Sequence, residues 1–100
     1  MELKPGSVWY SAASQAQVIV VRAPRGPVEL TCGGRPMVAQ APPALEPLET
    51  ADGGGLLIGK RYVDTETGLE LLCTKAGPGS VACDGRVLLM ARATPLPSSD

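Results

Sequence analysis

The stretches TCGGRPMV (residues 31–38) and ACDGRVLL (residues 82–89) lie 51 positions apart and share the pattern Cys-x-Gly-Arg followed by apolar residues. Sliding the chain on itself by 51 also places Gly26 on Gly77 and Pro27 on Pro78, so that five identities fall within ten positions. Around them Val18, Val20 and Val21 fall on Leu69, Leu71 and Leu72, Leu30 falls on Val81, and Met37 and Val38 fall on Leu88 and Leu89. A period of this length marks an internal repeat. A hairpin pair of about thirty residues cannot bury its apolar face alone, so two copies packed against each other are the expected unit.

Outward from these stretches the chain reads as β-structure. Runs rich in apolar residues are AQVIVVRA (16–23), VELTC (28–32), LLIGKRYV (56–63), GLELLCTK (68–75), SVAC (80–83) and RVLLMAR (86–92), and Gly and Pro turns separate them. No helical period lasts beyond two turns. Pro24, Pro27 and Pro78 fall where they are expected to close hairpins. The expected class is all-β, two small hairpin units related by a pseudo-twofold axis in one compact domain. The first repeat spans residues 1–38, a Pro- and Gly-rich linker spans 39–55, the second repeat spans 56–92, and a tail spans 93–100. The linker differs in composition from its surroundings, and its Ala-Pro-Pro-Ala (41–44) suits a polyproline segment.

Composition narrows the function. The chain has 100 residues, 44% of them hydrophobic, with no Phe and no His, so Val, Leu, Ile, Ala and Met must fill the core. Nine basic against ten acidic residues give a net charge of -1, far from the positive field that nucleic acid requires. The four-residue apolar run at 18–21 is too short for a signal or a membrane span, and a soluble cytoplasmic protein is expected. Three cysteines, Cys32, Cys73 and Cys83, without a CxxC pair fit neither a disulfide framework nor a zinc knuckle. The sparse Lys and abundant Ala, Gly, Pro and Arg point to a GC-rich bacterial genome.

The stretch GSVWYSAASQAQVIVVRAPRGPVELTCGGRPMV (6–38) resembles desulforedoxin and the amino-terminal domain of desulfoferrodoxin, small rubredoxin-like all-β units. In that family an aromatic residue precedes a CxxC, and a Val-rich strand, a Gly-rich turn and a Leu-x-Cys-Cys-Gly-x-x-Met knuckle follow. The resemblance implies four cysteines on one iron and pairing of two units. This chain departs at the ligands. Ser11 and Ser14 stand where the family has its CxxC, and Thr31 and Cys32 stand at its Cys-Cys; in the second copy the positions are Asp64, Thr67, Ala82 and Cys83. The resemblance therefore implies a fold and a lost metal site, with no cofactor.

The remaining residues offer little chemistry. A thiolate zinc site needs four ligands at about 2.3 Å. Neighbours in sequence cannot supply them, although Cys32, Cys83 and Cys73 with Asp64 could in principle meet across the pseudo-twofold axis. Cys32 and Cys83 are expected to serve as small buried hydrophobes. A reactive thiol lacks its usual base, His; Arg35 and Arg86, three residues beyond each Cys, are expected to cover the turns or pair with carboxylates. GGG at 53–55 lacks the order of a phosphate loop. Asp64 and Glu66, two apart, read as a solvated face, without a partner for acid-base work. Trp9 and Tyr10 point to opposite faces of a strand, so one is expected outside the core, as an interface anchor or as a plug against Tyr62.

The sequence thus suggests a non-catalytic accessory or scaffold protein that binds a protein partner through a sheet edge, the Trp9 region or the Pro-rich linker. Its partner-binding candidates are Trp9, Tyr10, Arg35 and Arg86, a homo-oligomer is a further possibility, and the tail is expected to fray unless it docks against a neighbouring chain. The alternative is a zinc- or iron-binding redox module with cysteines completed across halves or chains.

Overall fold

Alternation of apolar and polar side chains produces eleven short strands. The computed structural model describes residues 2–46 and 55–91. They form β1 (Val8–Tyr10), β2 (Gln17–Arg22), β3 (Leu30–Cys32), β4 (Arg35–Pro36), β5 (Gly55–Leu56), β6 (Arg61–Val63), β7 (Glu70–Lys75), β8 (Gly77–Pro78), β9 (Val81–Cys83), β10 (Arg86–Val87) and β11 (Leu89–Met90). The described residues contain no helix, and every strand pair is antiparallel, so the class is all-β.

Three sheets result: a five-stranded sheet in the order β1-β2-β7-β6-β11, a four-stranded sheet β10-β9-β3-β4, and the two-stranded pair β5-β8. Their inward rows meet in one core. Val18 and Val20 of β2, Leu71 and Cys73 of β7, Leu30 and Cys32 of β3, and Val81 and Cys83 of β9 are all buried in it, with Leu3, Leu56, Met37 and Leu88. The period of two along a strand puts these alternate residues on one face.

The Cys-x-Gly-Arg pattern is explained by turn chemistry. Cys32 pairs with Arg35 and Cys83 with Arg86, leaving two-residue loops, Gly33-Gly34 and Asp84-Gly85. All four loop residues have positive φ, at 62° and 85° in one loop and 51° and 83° in the other. A two-residue hairpin loop with positive φ at both positions is the type I′ turn, whose twist matches the flanking strands and which favours Gly-Gly and Asp-Gly.

The same register recurs in two strand pairs. β1 and β2 pair as Val8↔Ile19, Trp9↔Val18 and Tyr10↔Gln17, and β6 and β7 pair as Arg61↔Leu72, Tyr62↔Leu71 and Val63↔Glu70. Each residue thus lies 53 positions before its counterpart. The central pair β2-β7 exchanges onto itself, with Val18 opposite Cys73 and Val20 opposite Leu71 on either side of Ile19↔Leu72. From β3 onward the offset becomes 51, with Leu30↔Cys83 and Cys32↔Val81 flanking Thr31↔Ala82.

Two expectations change here. The offset of 51 does not extend back through β2 and β7: Val18 corresponds to Leu71 and Val20 to Cys73, because residues 76–80 between β7 and β9 are two fewer than residues 23–29 between β2 and β3. Cys73 accordingly stands where the first half has the buried Val20, and not where it has Arg22, the residue that an offset of 51 would place there. Pro24 and Pro27 lie in the connection between sheets, and Pro78 is itself paired, with Gly55 in β5-β8, so none of the three closes a hairpin.

The run 56–63 divides into β5 and β6 around a turn at Gly59 (φ 80°), and 86–92 divides at the buried Leu88, where the chain leaves the smaller sheet for the larger. Of the linker, residues 39–46 and Gly55 are described. Residues 47–54 and the tail from 93 lie outside the described residues.

Candidate functional site

The positions that the resemblance aligns with metal ligands sit at the loops of β1-β2 and β6-β7 and at the ends of β3 and β9. In the first half, Ser11 and Ser14 are buried, and each hydroxyl oxygen accepts a backbone N–H within its own loop: Ala13 N–H to Ser11 Oγ at 3.1 Å and Ala16 N–H to Ser14 Oγ at 3.2 Å. These are the turns that Ser makes by offering an oxygen to the backbone two residues on. Thr31 is half-buried, and Cys32 is buried with its thiol directed at Gly79 O, 3.5 Å away.

In the second half the equivalent residues bond to one another. Thr67 Oγ1 donates to Asp64 Oδ2 at 2.7 Å and stands 3.9 Å from Cys83 Sγ. Arg86 donates from Nε to Asp64 Oδ1 at 3.3 Å and from Nη2 to Asp64 Oδ2 at 3.0 Å. This two-pronged contact matches the fork of a guanidinium to the plane of a carboxylate. Ala82 contributes no polar side-chain atom. The reading of Asp64 as a solvated residue is therefore corrected: it is 6% exposed, and Arg86 has replaced water as its partner.

Electrostatics follow from these contacts. The Arg86 hydrogen bonds, acting against desolvation and aided by the Thr67 hydroxyl, hold the Asp64 carboxyl well below the usual carboxylate range. The same carboxylate raises the Arg86 pKa. Burial pushes the Cys83 thiol up to about 11, and the neighbouring carboxylate of Asp64 works in the same direction. Burial also raises Cys73, whose thiol donates to Lys75 O at 3.0 Å. A thiol pushed upward is poorly populated as thiolate at neutral pH, so these two cysteines are weak nucleophiles and weak metal donors.

Cys32, Cys73 and Cys83 are all buried free thiols. Cys32 and Cys83 face Val81 and Leu30 across the β3-β9 pair and not each other. Among the described residues no group of three or more Cys, Asp or Glu side chains converges as a metal site would require. Arg35 pairs with Glu46 at 3.5 Å, so both arginines after the turns engage carboxylates.

Trp9 is half-buried against the core, with Nε1 donating to Ser7 Oγ at 3.1 Å. Tyr62 is its counterpart in the second half, and its hydroxyl accepts the Leu57 N–H at 2.9 Å. Tyr10, also half-buried, bridges to Val38, its N–H donating to Val38 O at 2.8 Å.

Sequence reasoning weighed Asp64 and Arg86 separately and missed their pairing across 22 positions. A signal was present, since Arg86 follows the turn beside Cys83 and Asp64 occupies a ligand-equivalent position in the same half. No helix among the described residues is long and apolar enough to cross a membrane. Comparison with known proteins finds no family model, no curated protein and no solved structure that matches this chain.

Proposed function

We propose that this chain is a non-catalytic accessory or scaffold module that binds a protein partner, built from two tandem desulforedoxin-like units about a pseudo-twofold axis whose metal ligands have been replaced. The observation that carries the reading is the cluster Asp64, Thr67, Cys83 and Arg86. Three ligand-equivalent side chains there already satisfy one another, and a guanidinium supplies the positive charge beside the carboxylate. Such a cluster uses its polar groups to hold shape. The matched strand registers of the two halves support the tandem arrangement, and the raised Cys73 and Cys83 thiols weigh against thiol catalysis.

A cytoplasmic bacterial setting fits free thiols and the absence of disulfides among the described cysteines. Of the proposed contact residues, Trp9 and Tyr10 offer half-exposed aromatic surface, whereas Arg35 and Arg86 are held by carboxylates and serve mainly to set the surface around them. The test is affinity purification of the tagged full chain from its own cells, comparing wild type with Trp9→Ala after both are shown folded. A stoichiometric protein partner that Trp9→Ala weakens supports the reading. Stoichiometric zinc or iron in the pure chain would replace it with the metal-module alternative.

A further inference from the structure

The two ends of the central β2-β7 pair differ in charge. At one end Arg22 lies opposite Glu70, whose carboxylate pairs with Arg61 of β6 at 3.3 Å. At the other end, where the repeated register puts Gln17 in the place of Glu70, Lys75 lies opposite a neutral amide. Lys75 is exposed and forms no ion pair with any described residue.

That end of the pair opens into a cleft of about 260 Å³. Lys75, Gln15 and Gln17 provide its polar donors together with Tyr10 and the buried Ser14, and Pro42 and Leu45 of the segment following β4 form an apolar wall. One unneutralised cation, several hydrogen-bond donors and an aliphatic wall together recognise a monoanion joined to an apolar group. The volume falls below the roughly 300 Å³ at which pockets begin to enclose whole drug-sized ligands. It suits a terminal carboxylate with one aliphatic side chain, the remaining chain leaving through the open side.

We propose that this cleft binds the carboxy-terminal residue of a partner polypeptide that ends in an aliphatic side chain, with Lys75 and the Gln15 and Gln17 amides on the carboxylate and Pro42 and Leu45 on the side chain. The assignment rests on the protein-binding reading above and names the chemistry of the partner. Capture of a carboxy-terminus by clustered donors is a general mode of peptide recognition.

Fluorescence anisotropy of the tag-free full chain tests it, with a fluorescein-labelled Gly-Ser-Ala-Gly-Ser-Leu-Val peptide as the free acid and as the carboxy-terminal amide. The acid is expected to bind and the amide to bind at least about tenfold more weakly, the loss expected when a charge-assisted contact is removed. Lys75→Gln should produce a similar loss, while Lys60→Gln, on the turn before β6, should leave binding unchanged. Equal binding of acid and amide, an unaffected Lys75→Gln variant, or no binding of the acid overturns the assignment. N-acetylvaline, which keeps the carboxylate and the aliphatic side chain, should displace the labelled peptide, and N-acetylvalinamide should not; an acid that fails to compete, or an amide that competes equally, also overturns the assignment. A cleft that fails while the partner still co-purifies leaves the scaffold reading intact; stoichiometric metal in the pure chain removes that reading independently of the peptide result.

Discussion

Replacing Asp64 by Asn removes the charge from the one buried carboxylate among the described residues while keeping its size. Asp64 accepts the Thr67 hydroxyl at 2.7 Å and two Arg86 contacts at 3.3 and 3.0 Å, and it is 6% exposed. Breaking a fully buried ion pair costs about 3–5 kcal/mol, and an exposed pair contributes about 0–1 kcal/mol. The Arg86 side chain is 42% exposed, so the pair lies between these limits and Asp64→Asn should cost about 2 kcal/mol. For a domain of this size that lowers Tm by roughly 8–16 °C, measurable by circular dichroism or calorimetry. The folded-state pKa of Asp64 is depressed, so its contribution is present above the unfolded value of about 3.9 and is lost as pH falls through the folded value. The gap between wild type and Asp64→Asn should therefore be full at neutral pH and narrow progressively below about pH 4. A variant as stable as wild type at neutral pH, or a gap that widens in acid, would refute the ion-pair reasoning.

Gly77→Ala should destabilise by about 1–3 kcal/mol in a denaturant titration, since a Cβ there would stand 2.7 Å from Ala16 N and 2.8 Å from Ser14 Oγ, whereas Gly26→Ala meets nothing within 4 Å and should be near neutral. The three thiols are buried, so an aromatic disulfide reagent at neutral pH should label the native chain at least about a hundredfold more slowly than the unfolded chain. Because the Cys83 thiol is pushed up to about 11, the folded state favours its neutral form; stability should fall as pH rises from about 8.5, where the unfolded thiol begins to ionise, and Cys83→Ala should flatten that slope in alkaline melts. Leu71→Ala, at a fully buried position of the central pair, should cost about 2–5 kcal/mol by the same titration.

The class and much of the pairing were legible because the signals are local. Alternation in QVIVVR and ELLCTK marks half-buried strands, and Gly-Gly and Asp-Gly between paired residues demand type I′ turns. What the sequence concealed was non-local. A single sliding offset cannot register the two-residue shortening between β7 and β9, so it sets Val20 and Val21 on the wrong residues of β7. The three-residue β1 and the two-residue β4 and β8 are too short to carry a period of their own. Their partners across the chain define them. At the candidate site, Ser11, Ser14, Asp64, Thr67, Cys32 and Cys83 were individually identifiable, but the partnership of Asp64 with Arg86 depends on where the loop after β6 meets the start of β10 in space. Lys75 drew no notice because its significance lies in facing Gln17, 58 positions earlier, where the counterpart pair has Glu70 facing Arg22.

The central claim is that protein groups now fill what the resemblance implies was a metal site. Elemental analysis of the tag-free chain, expressed with zinc and iron supplied and scaled to protein concentration, addresses it directly. The account predicts metal well below one atom per chain and a melting temperature unmoved by a chelator. Zinc or iron at one or two atoms per chain, lost together with stability on chelation, would contradict it and return the cysteines to the role of ligands.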